Sequence, residues 1–397
     1  MDTDAPQAPT HETDYSATGV TPVRILPRAS AALATGPRWV DTMNAVLGQI
    51  EVAQPDLVFI YVSPHFTEFL PLLLQTAWER TEATLLTGCS TTAPIAERIE
   101  AEHQPAIAML ALSLPGAVLR PVRFTQALLD DAADAVTLRD RLAVETSDAQ
   151  GWIVLASSHQ CDAEAIVGRL QSSYPGTPVV GGVAASSPHS HRSSVFLNGS
   201  AYGDGAVGVA IGGAYDLVPV LAQGCEPIGD VWTITGVRDT WIESISNRPA
   251  LTLLAESLDV LPADMQEEAE SNLAAGFAIN EYQDRFNRGD FQIRTITAVD
   301  WEKGAIAVAG RPRVGQSIQF HLRDAATASL DLTLALMETR NQMSESTPVA
   351  TLLHSSQQRG WSFFGTPDRD ALLNSIVVSQ APRRNDGQSG DRTQQRS

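Results

Sequence analysis

Short apolar segments alternate with helical segments over residues 38–185, and this alternation restricts the fold more than any other feature of the chain. Buried strands are predicted by runs such as DLVFIYVS (56–63) and GWIVLAS (151–157), which are rich in β-branched and aromatic residues. Helices are predicted between them, and one begins at Asp162 with an acidic first turn that suits the helix dipole. This order is typical of a sheet that is covered by helices and at least partly parallel.

After residue 185 the pattern changes to strands with Gly-rich turns, and residues 194–245 are predicted as an antiparallel meander. A second unit follows, with strands over 291–324 and a long helix over 325–342. The predicted fold class is therefore α/β in the mixed α+β sense, with two lobes that are each a largely antiparallel or mixed sheet covered by helices. The predicted segments are a flexible tail (1–22), two domains (23–258 and 259–380) and a disordered tail (381–397).

Two local predictions concern strands outside this plan. The segments 105–114 (PAIAMLALSL) and 118–124 (VLRPVRF) are expected to pair across the Pro-Gly turn between them. The segment 348–356 (PVATLLHSS) is expected to be a buried strand, because it is short, apolar and followed by polar residues.

Charge and cysteine usage exclude several classes of function. The formal net charge is −19, so the surface repels phosphate backbones and anionic lipid, and neither a nucleic acid nor a membrane is an expected partner. The N-terminus has no basic and apolar signal-peptide pattern, and no run of 18 apolar residues is present. The 3 cysteines lack a C-x-x-C partner, which favours a reducing, cytoplasmic location.

Two motifs that would bind a cofactor or a metal are spelled in the chain but lack the required context. Gly203, Gly205 and Gly208 match G-x-G-x-x-G, yet the residues that follow alternate like a strand instead of opening a helix. A hairpin turn is therefore favoured over dinucleotide binding. The HSH sequence at 189–191 could gather a metal with His159, but exposed loop histidines are the favoured interpretation.

Cys89 and Cys225 each follow a glycine, in LLTGCSTT and LAQGCEPIGDVW. Packing in tight space where a strand leaves the sheet is the favoured role, and pocket lining and nucleophilic catalysis are the alternatives. A nucleophile needs a base held close by a third group, and spacing alone assembles no such set. No enzymatic activity is expected.

Three arginines lie among apolar strand residues or beside a turn: Arg294 in FQIRTI, Arg323 in FHLRDA and Arg359 in SSQQRGW. Arginine in such positions is costly unless it is paired or directed at a ligand, and Asp324 is a candidate partner. The planar guanidinium binds carboxylates bidentately, so converging arginines beside a glycine-walled hollow would suit a small carboxylate. Ion pairs within a domain and solvent-facing side chains are the alternatives.

Seven segments in order resemble one family of proteins. LLTGCSTT, PVVGGVAASS, GDGAVGVAIGG, LAQGCEPIGDVWTITG and ISNRPALTLL resemble the FIST N-terminal domain. The strand-rich segment 291–325 and LLHSSQQRGWSFFG resemble the FIST C-terminal domain, and the likeness covers residues 38–378. The resemblance implies an intracellular sensory module that binds small ligands such as amino acids. Some bacterial members bind haem, sense nitric oxide and act on a partner histidine kinase.

The chain departs from the family pattern near its end. Serine replaces the cysteine of a Cys-x-x-Arg-Gly motif, giving Ser356-Gln357-Gln358-Arg359-Gly360, and no Gly-Glu-Ile-Gly-Pro segment follows. No kinase, cyclase or receptor segment is recognised, so the expectation is a stand-alone bacterial member that signals through a separate protein such as a histidine kinase.

The expected function is the binding of an amino acid or another small carboxylate for signal transduction. A haem-based nitric-oxide sensor and a protein-interaction scaffold without a ligand are the alternatives, and no other cofactor or metal is expected. The candidate haem ligands are His65, His159 and His354. The candidate ligand-binding residues are Cys89, Ser90, Gly182, Cys225, Arg294, Arg323, Ser356, Arg359 and Gly360.

Overall fold

The structure is a computed structural model. It describes residues 26–186, 192–262, 266, 269, 272–283, 285–286, 289–343 and 346–379. The predicted tails at 1–22 and 381–397 lie outside the described residues, as do His189 and His191. The predicted fold class is confirmed, because the described chain is a mixed α+β structure in which several sheets are covered by helices.

The helices and strands are numbered here in chain order. The strands are β1 (Arg28–Thr35), β2 (Leu57–Val62), β3 (Leu85–Ser90), β4 (Ile95–Ala96), β5 (Ile99–Glu100), β6 (Ala106–Ser113), β7 (Ala117–Phe124), β8 (Gly151–Ala156), β9 (Val179–Val183), β10 (Val195–Leu197), β11 (Ser200–Tyr202), β12 (Ala206–Gly213), β13 (Cys225–Arg238), β14 (Trp241–Ile245), β15 (Arg248–Pro249), β16 (Leu273–Ala278), β17 (Phe291–Asp300), β18 (Ala305–Val308) and β19 (Ser317–Arg323). The α-helices are α1 (Trp39–Leu47), α2 (Leu70–Thr81), α3 (Gln126–Asp131), α4 (Ala135–Leu142), α5 (Ala163–Ser173), α6 (Ala250–Asp259), α7 (Ala325–Gln342), α8 (Trp361–Phe364) and α9 (Arg369–Ser379). Two 3₁₀ turns span Pro64–Phe69 and Thr146–Asp148.

The first sheet has the strand order β1-β6-β2-β3-β10-β11, with β2 and β3 parallel and the other pairs antiparallel. Helices α1 and α2 cover one face and enclose a core that includes Met43, Ile60 and Leu74. Strand β3 is buried along its whole length, as expected for a strand that is covered on both faces. Pro71 lies in the first turn of α2, where its missing N–H is not needed.

The second sheet has the order β7-β12-β8-β9, and only β8 and β9 are parallel. Helices α4 and α5 cover its outer face, and Asp162 caps α5 by accepting a hydrogen bond from the Ala165 N–H at 2.9 Å. Its inner face packs on the first sheet through side chains such as Phe59 and Ile153. The first half of the chain is therefore a sandwich of two sheets between helices, called the sandwich below.

The third sheet has the order β13-β19-β16-β17-β18-β14-β15, and β13 also pairs with β14. These pairings close six strands into a barrel, called the barrel below. Its core includes Ile234, Ile306 and Phe320, and α6 packs against it through Leu254. The barrel contains strands from before and after residue 258, so the border predicted between residues 258 and 259 falls within one sheet. The predicted domain borders remain predictions.

Three local predictions are wrong. Strands β6 and β7 do not pair, because the turn at Pro115 and Gly116 carries the chain from the first sheet to the second. The strands over 194–245 form no meander, since they are distributed over all three large sheets. No strand forms over 348–356, and its apolar side chains Val349 and Leu352 instead pack against the core between the two sheets of the sandwich. The prediction that G-x-G-x-x-G leads into a strand is confirmed by β12.

Candidate ligand-binding site

The turn before Cys225 fixes the position of this cysteine at the start of β13. Gly224 has φ +64°, and a Cβ there would lie 2.4 Å from Nη1 of Arg359, so only glycine fits. The Gly224 N–H donates to Oδ2 of Asp331 in α7 at 2.7 Å. Cys225 is buried, and this burial raises the pKa of its thiol although the charges of Arg323 and Arg359 oppose the rise.

Arg323 lies directly opposite Cys225 in the pairing of β13 with β19. Its guanidinium contacts the side-chain oxygen of Gln358 and lies 3.4 Å from Oγ1 of Thr295, and both are neutral acceptors. Within the described part of the chain, no carboxylate lies within ion-pair distance of Arg323. The predicted partner Asp324 instead caps α7, accepting from the N–H groups of residues 326 and 327. Arg323 is therefore a half-buried cation held by neutral groups alone.

Arg359 is neutralised within the chain. Its Nε and Nη2 donate to the two carboxylate oxygens of Asp370 in α9, both at 2.8 Å, and the side chains of the pair are 14% and 2% exposed. The guanidinium also lies 5.3 Å from the ring centroid of Phe364. Asp370 accepts a further hydrogen bond from Oγ of Ser355 at 2.8 Å. The bidentate geometry that would suit a ligand carboxylate is thus occupied by Asp370.

The structure brings two of the three arginines together and leaves the third apart. Arg323 and Arg359 both act on the Cys225 thiol, whereas Arg294 forms an ion pair with Glu164 of α5. Since Thr295 faces Arg323, its neighbour Arg294 points to the other face of β17. The expectation that all three converge is therefore wrong for Arg294.

A shallow cleft of about 350 Å³ lies beside this site. It is lined by Glu226 and Leu322, the neighbours of Cys225 and Arg323 along β13 and β19, and by Gly229, but by none of the three arginines. The expectation of a hollow lined by arginines is therefore wrong for this cleft, because Arg323 lies beside the cleft and does not line it.

Ser356 and Gly360 belong to a turn that leads into α8. Ser356 is exposed, and its carbonyl accepts from the Arg359 N–H at 2.9 Å. Gly360 precedes α8, and a Cβ there would lie 2.4 Å from Oε2 of Glu102. Glu102 accepts from the Trp361 N–H at 2.9 Å, so glycine permits a close contact between α8 and the sandwich.

Cys89, Ser90 and Gly182 lie together in the sandwich, away from the arginines. A Cβ on the preceding Gly88 would lie 1.8 Å from the Ile60 carbonyl oxygen, so the glycine before Cys89 is required by the close approach of β2. Cys89 is buried between the two sheets, and burial raises the pKa of its thiol to about 12. Ser90 donates to the Ala185 carbonyl at 2.8 Å, which ties the end of β3 to the residues after β9.

His354 extends from the segment after α7 to this part of the sandwich. Its Nε2 lies 3.0 Å from Oη of Tyr61, and the two rings meet edge to face. A Cβ on Gly182 would lie 3.8 Å from the His354 ring, an ordinary contact. His354 is exposed as a whole residue, yet the protein atoms around its ring lower the pKa of the imidazole by desolvation.

Sequence reasoning missed His321, which lies two residues before Arg323 on the same face of β19. His321 is 5% exposed, and among the described residues neither of its ring nitrogens has a hydrogen-bond partner. It packs edge to face on Phe291, and a Cβ on Gly276 would lie 2.4 Å from its Nε2. Burial lowers its pKa to about 4. The strand periodicity of QFHLR could have placed it beside Arg323.

Two acidic residues of the contact between α9 and the sandwich were also missed. Asp370 lies in the first turn of α9, and Glu100 at the end of β5 accepts from the Ala371 N–H at 2.8 Å. Burial raises the pKa of Glu100 to about 7, and the negative charge of Asp370 adds to the rise. The sequence signal for this contact is the Asp-Arg-Asp run at residues 368–370, where α9 begins.

The other predicted histidines do not assemble a cofactor site in the described structure. His65 and His159 are exposed, and Nε2 of His354 faces Tyr61. Among the described residues, no group of three His, Cys, Asp or Glu side chains is placed to hold a metal ion. In the same part of the chain, no helix combines the length and the apolar character that a membrane span needs.

The fold and the site together define a class of protein: a mixed α+β chain in which a sandwich and a barrel are joined by a C-terminal segment, with a cation at the barrel surface. The chain belongs to the FIST family. The FIST N domain matches residues 56–248, and the FIST C domain matches residues 250–375. FIST domains are sensory domains of signal transduction.

Mycobacterial proteins are among the relatives of this chain. Uncharacterized protein Rv0628c of Mycobacterium tuberculosis is 30% identical over 328 residues, which cover 83% of this chain and 84% of that protein. Uncharacterized protein Mb0898c of Mycobacterium bovis is 27% identical over 332 residues, which cover 83% of each chain. The likeness thus extends over both FIST domains.

Proposed function

We propose that this protein is a sensory module that binds a small carboxylate, such as an amino acid, at Arg323 and signals through a separate protein. The supporting observation is that the guanidinium of Arg323 is held by the neutral oxygens of Gln358 and Thr295, with no carboxylate within ion-pair distance among the described residues.

A carboxylate would bind Arg323 more strongly than its present neutral acceptors do. The bonds to Gln358 and Thr295 carry charge on the donor only, whereas a carboxylate adds the opposite charge on the acceptor and matches the guanidinium fork with two parallel hydrogen bonds.

Isothermal titration with acetate, succinate, L-alanine and L-glutamate tests the proposal on the wild-type protein. We expect Arg323→Gln to weaken binding of the recognised compound at least about tenfold, since it removes a charge-assisted contact. Arg294→Gln is the matched control, because Arg294 lies on the other face of β17 and is paired with Glu164. Wild-type affinity in Arg323→Gln, or no binding of any of the four compounds by the wild type, would contradict the proposal.

A second candidate function, a protein-interaction scaffold, is favoured by an exposed stripe on α7. Leu330, Leu334 and Met337 are 55%, 49% and 49% exposed and follow the i, i+4, i+7 spacing of one helix face. The opposite face of α7 packs inward through Leu332 and Leu336. Co-purification from a native lysate with the wild type and with Leu334→Glu would test it. A partner that is retained equally by both proteins would rule out this stripe.

A further inference from the structure

Residues 355–361, called the bridging segment here, touch several parts of the molecule with successive residues. Gln357 donates from Nε2 to Oγ1 of Thr92 in the sandwich at 2.8 Å. Gln358 contacts Arg323 of the barrel, and Arg359 pairs with Asp370 of α9. Through the Trp361 N–H the segment returns to the sandwich at Glu102. The bridging segment therefore links the sandwich, the barrel and α9 within seven residues.

The link to the barrel differs from the others in its chemistry. Its contact joins an amide oxygen of an exposed side chain to a guanidinium, and this is the position on Arg323 where a ligand carboxylate would also bind. The amide oxygen is neutral, so a carboxylate competes with it favourably. The contacts of Arg359 with Asp370 are charged and shielded from solvent, so they persist when Gln358 leaves.

We propose that Gln358 is an internal competitor for the carboxylate site on Arg323, so that ligand binding exchanges the Gln358 contact for a ligand contact and detaches the bridging segment from the barrel. This inference rests on the proposed function and adds a residue that sets the affinity. Ligand binding at the barrel would then change how the bridging segment connects the two parts of the molecule. Gln357 and Trp361 stay attached to the sandwich, while Gln358 is released from Arg323 of β19.

Three substitutions separate the inference from the proposed function. Gln358→Ala removes the competitor, so the affinity for whichever of acetate, succinate, L-alanine or L-glutamate binds the wild type should rise about fivefold, the net value of one hydrogen bond. Gln358→Glu places a carboxylate on Arg323 permanently, so the affinity should fall at least about tenfold. The matched control Gln357→Ala, which contacts Thr92 and not Arg323, should bind as the wild type does.

Hydrogen–deuterium exchange provides a second readout. The Arg359 N–H donates to the Ser356 carbonyl at 2.9 Å, so release of Gln358 should raise the exchange rate of residues 357–359 when the ligand is added to the wild type. In Gln358→Ala this rate should already be raised without ligand. If the wild type binds a compound but Gln358→Ala binds it equally or more weakly, the inference is wrong and the proposed function stands. If the wild type binds none of the four compounds, both fail.

Discussion

Arg359 and Arg323 lie close to the same cysteine, yet their surroundings differ in kind. Arg359 is 14% exposed and makes a bidentate pair with Asp370, which is 2% exposed. Arg323 is half-buried and contacts an amide and a hydroxyl. The first arginine therefore completes a packed contact between the bridging segment and α9. The second has a charge that its described surroundings leave unmatched.

This difference shows which property separates a structural arginine from a binding arginine. Both residues are arginines beside apolar residues, and burial alone would select Arg359 as the more notable of the two. The chemistry of the partner determines whether an arginine is available to a ligand. A carboxylate partner occupies the guanidinium fork, whereas a neutral partner can be exchanged for a ligand carboxylate. The two regions are also expected to respond to pH in opposite directions, because burial lowers the pKa of His321 on the Arg323 side and raises the pKa of Glu100 on the Arg359 side.

The largest expected effect is on the Arg359 side. Asp370→Ala should lower the free energy of unfolding by about 3–5 kcal/mol, because it leaves a shielded guanidinium without its partner. Urea denaturation followed by circular dichroism measures this change. The matched control is Asp204→Ala, which breaks the surface pair with Arg123 and should cost at most about 1 kcal/mol. Equal losses in the two variants would remove the distinction between a structural and a surface ion pair.

The second expected effect belongs to the Arg323 side and depends on pH. Burial lowers the pKa of His321 to about 4 from the ordinary histidine value of 6.5, so the unfolded chain binds the proton more readily between these values. The free energy of unfolding should therefore be highest above about pH 6.5, where the imidazole is neutral in both states. It should fall by about 3 kcal/mol in total as the pH is lowered to about 4. His321→Leu should remove this dependence.

Denaturation curves of the wild type and of His321→Leu from pH 7 to pH 4 provide the measurement. The exposed His65 offers the control, since His65→Gln should leave the acid dependence as it is in the wild type. An unchanged pH profile in His321→Leu would show that the imidazole acquires a partner in solution and is not an isolated buried group.

Much of the fold is encoded in local pattern, whereas the site depends on long-range contacts. The runs at 56–63 and 151–157 predict β2 and β8 because a strand covered on both faces must be apolar throughout. The pairing of strands was less predictable: β6 and β7 are neighbours in the chain but lie in different sheets, and a turn sequence does not encode that difference.

The candidate site was predicted in part. Cys225, Arg323 and Arg359 were named from the chain and lie together, because glycine-flanked and strand-embedded positions carry local signals. Asp370 and Gln358 carry no such signal, since their role arises only when the bridging segment folds back between the barrel and the sandwich. The apolar residues at 349 and 352 show the same effect: they fill the space between sheets without forming the predicted strand.

The third prediction concerns Glu100, which lies near Arg359 and is surrounded by other carboxylates. Burial raises the pKa of Glu100 to about 7, and the charges of Asp370, Glu102 and Asp368 add to the rise, although the Ala371 N–H opposes it. The folded state therefore binds this proton more readily, and the associated stability is lost as the pH rises through about 7. Glu100→Gln should raise the melting temperature at pH 8 and leave it nearly unchanged at pH 5.

Thermal melts at the two pH values measure this effect, and its sign is opposite to that of His321. Glu68→Gln serves as the control, because Glu68 is exposed and does not contribute to the raised pKa of Glu100, so its melting temperature should match the wild type at both pH values. A lower melting temperature for Glu100→Gln at pH 8 would indicate that the charged carboxylate is needed to hold the Ala371 N–H.

The smallest expected effect, the change in stability on replacing Arg323, tests most directly whether Arg323 and Arg359 differ in role. Arg323→Gln should change the free energy of unfolding by about 1 kcal/mol or less, because the two acceptors that lose their donor are neutral and lie at a half-buried position where water can replace it. Arg294→Gln, which breaks a partly exposed ion pair with Glu164, should have an effect of similar size. Urea denaturation of both variants beside Asp370→Ala measures the three values under one condition. If Arg323→Gln destabilised the protein as much as Asp370→Ala does, Arg323 would be a structural residue like Arg359, and its unmatched charge would no longer support a ligand site.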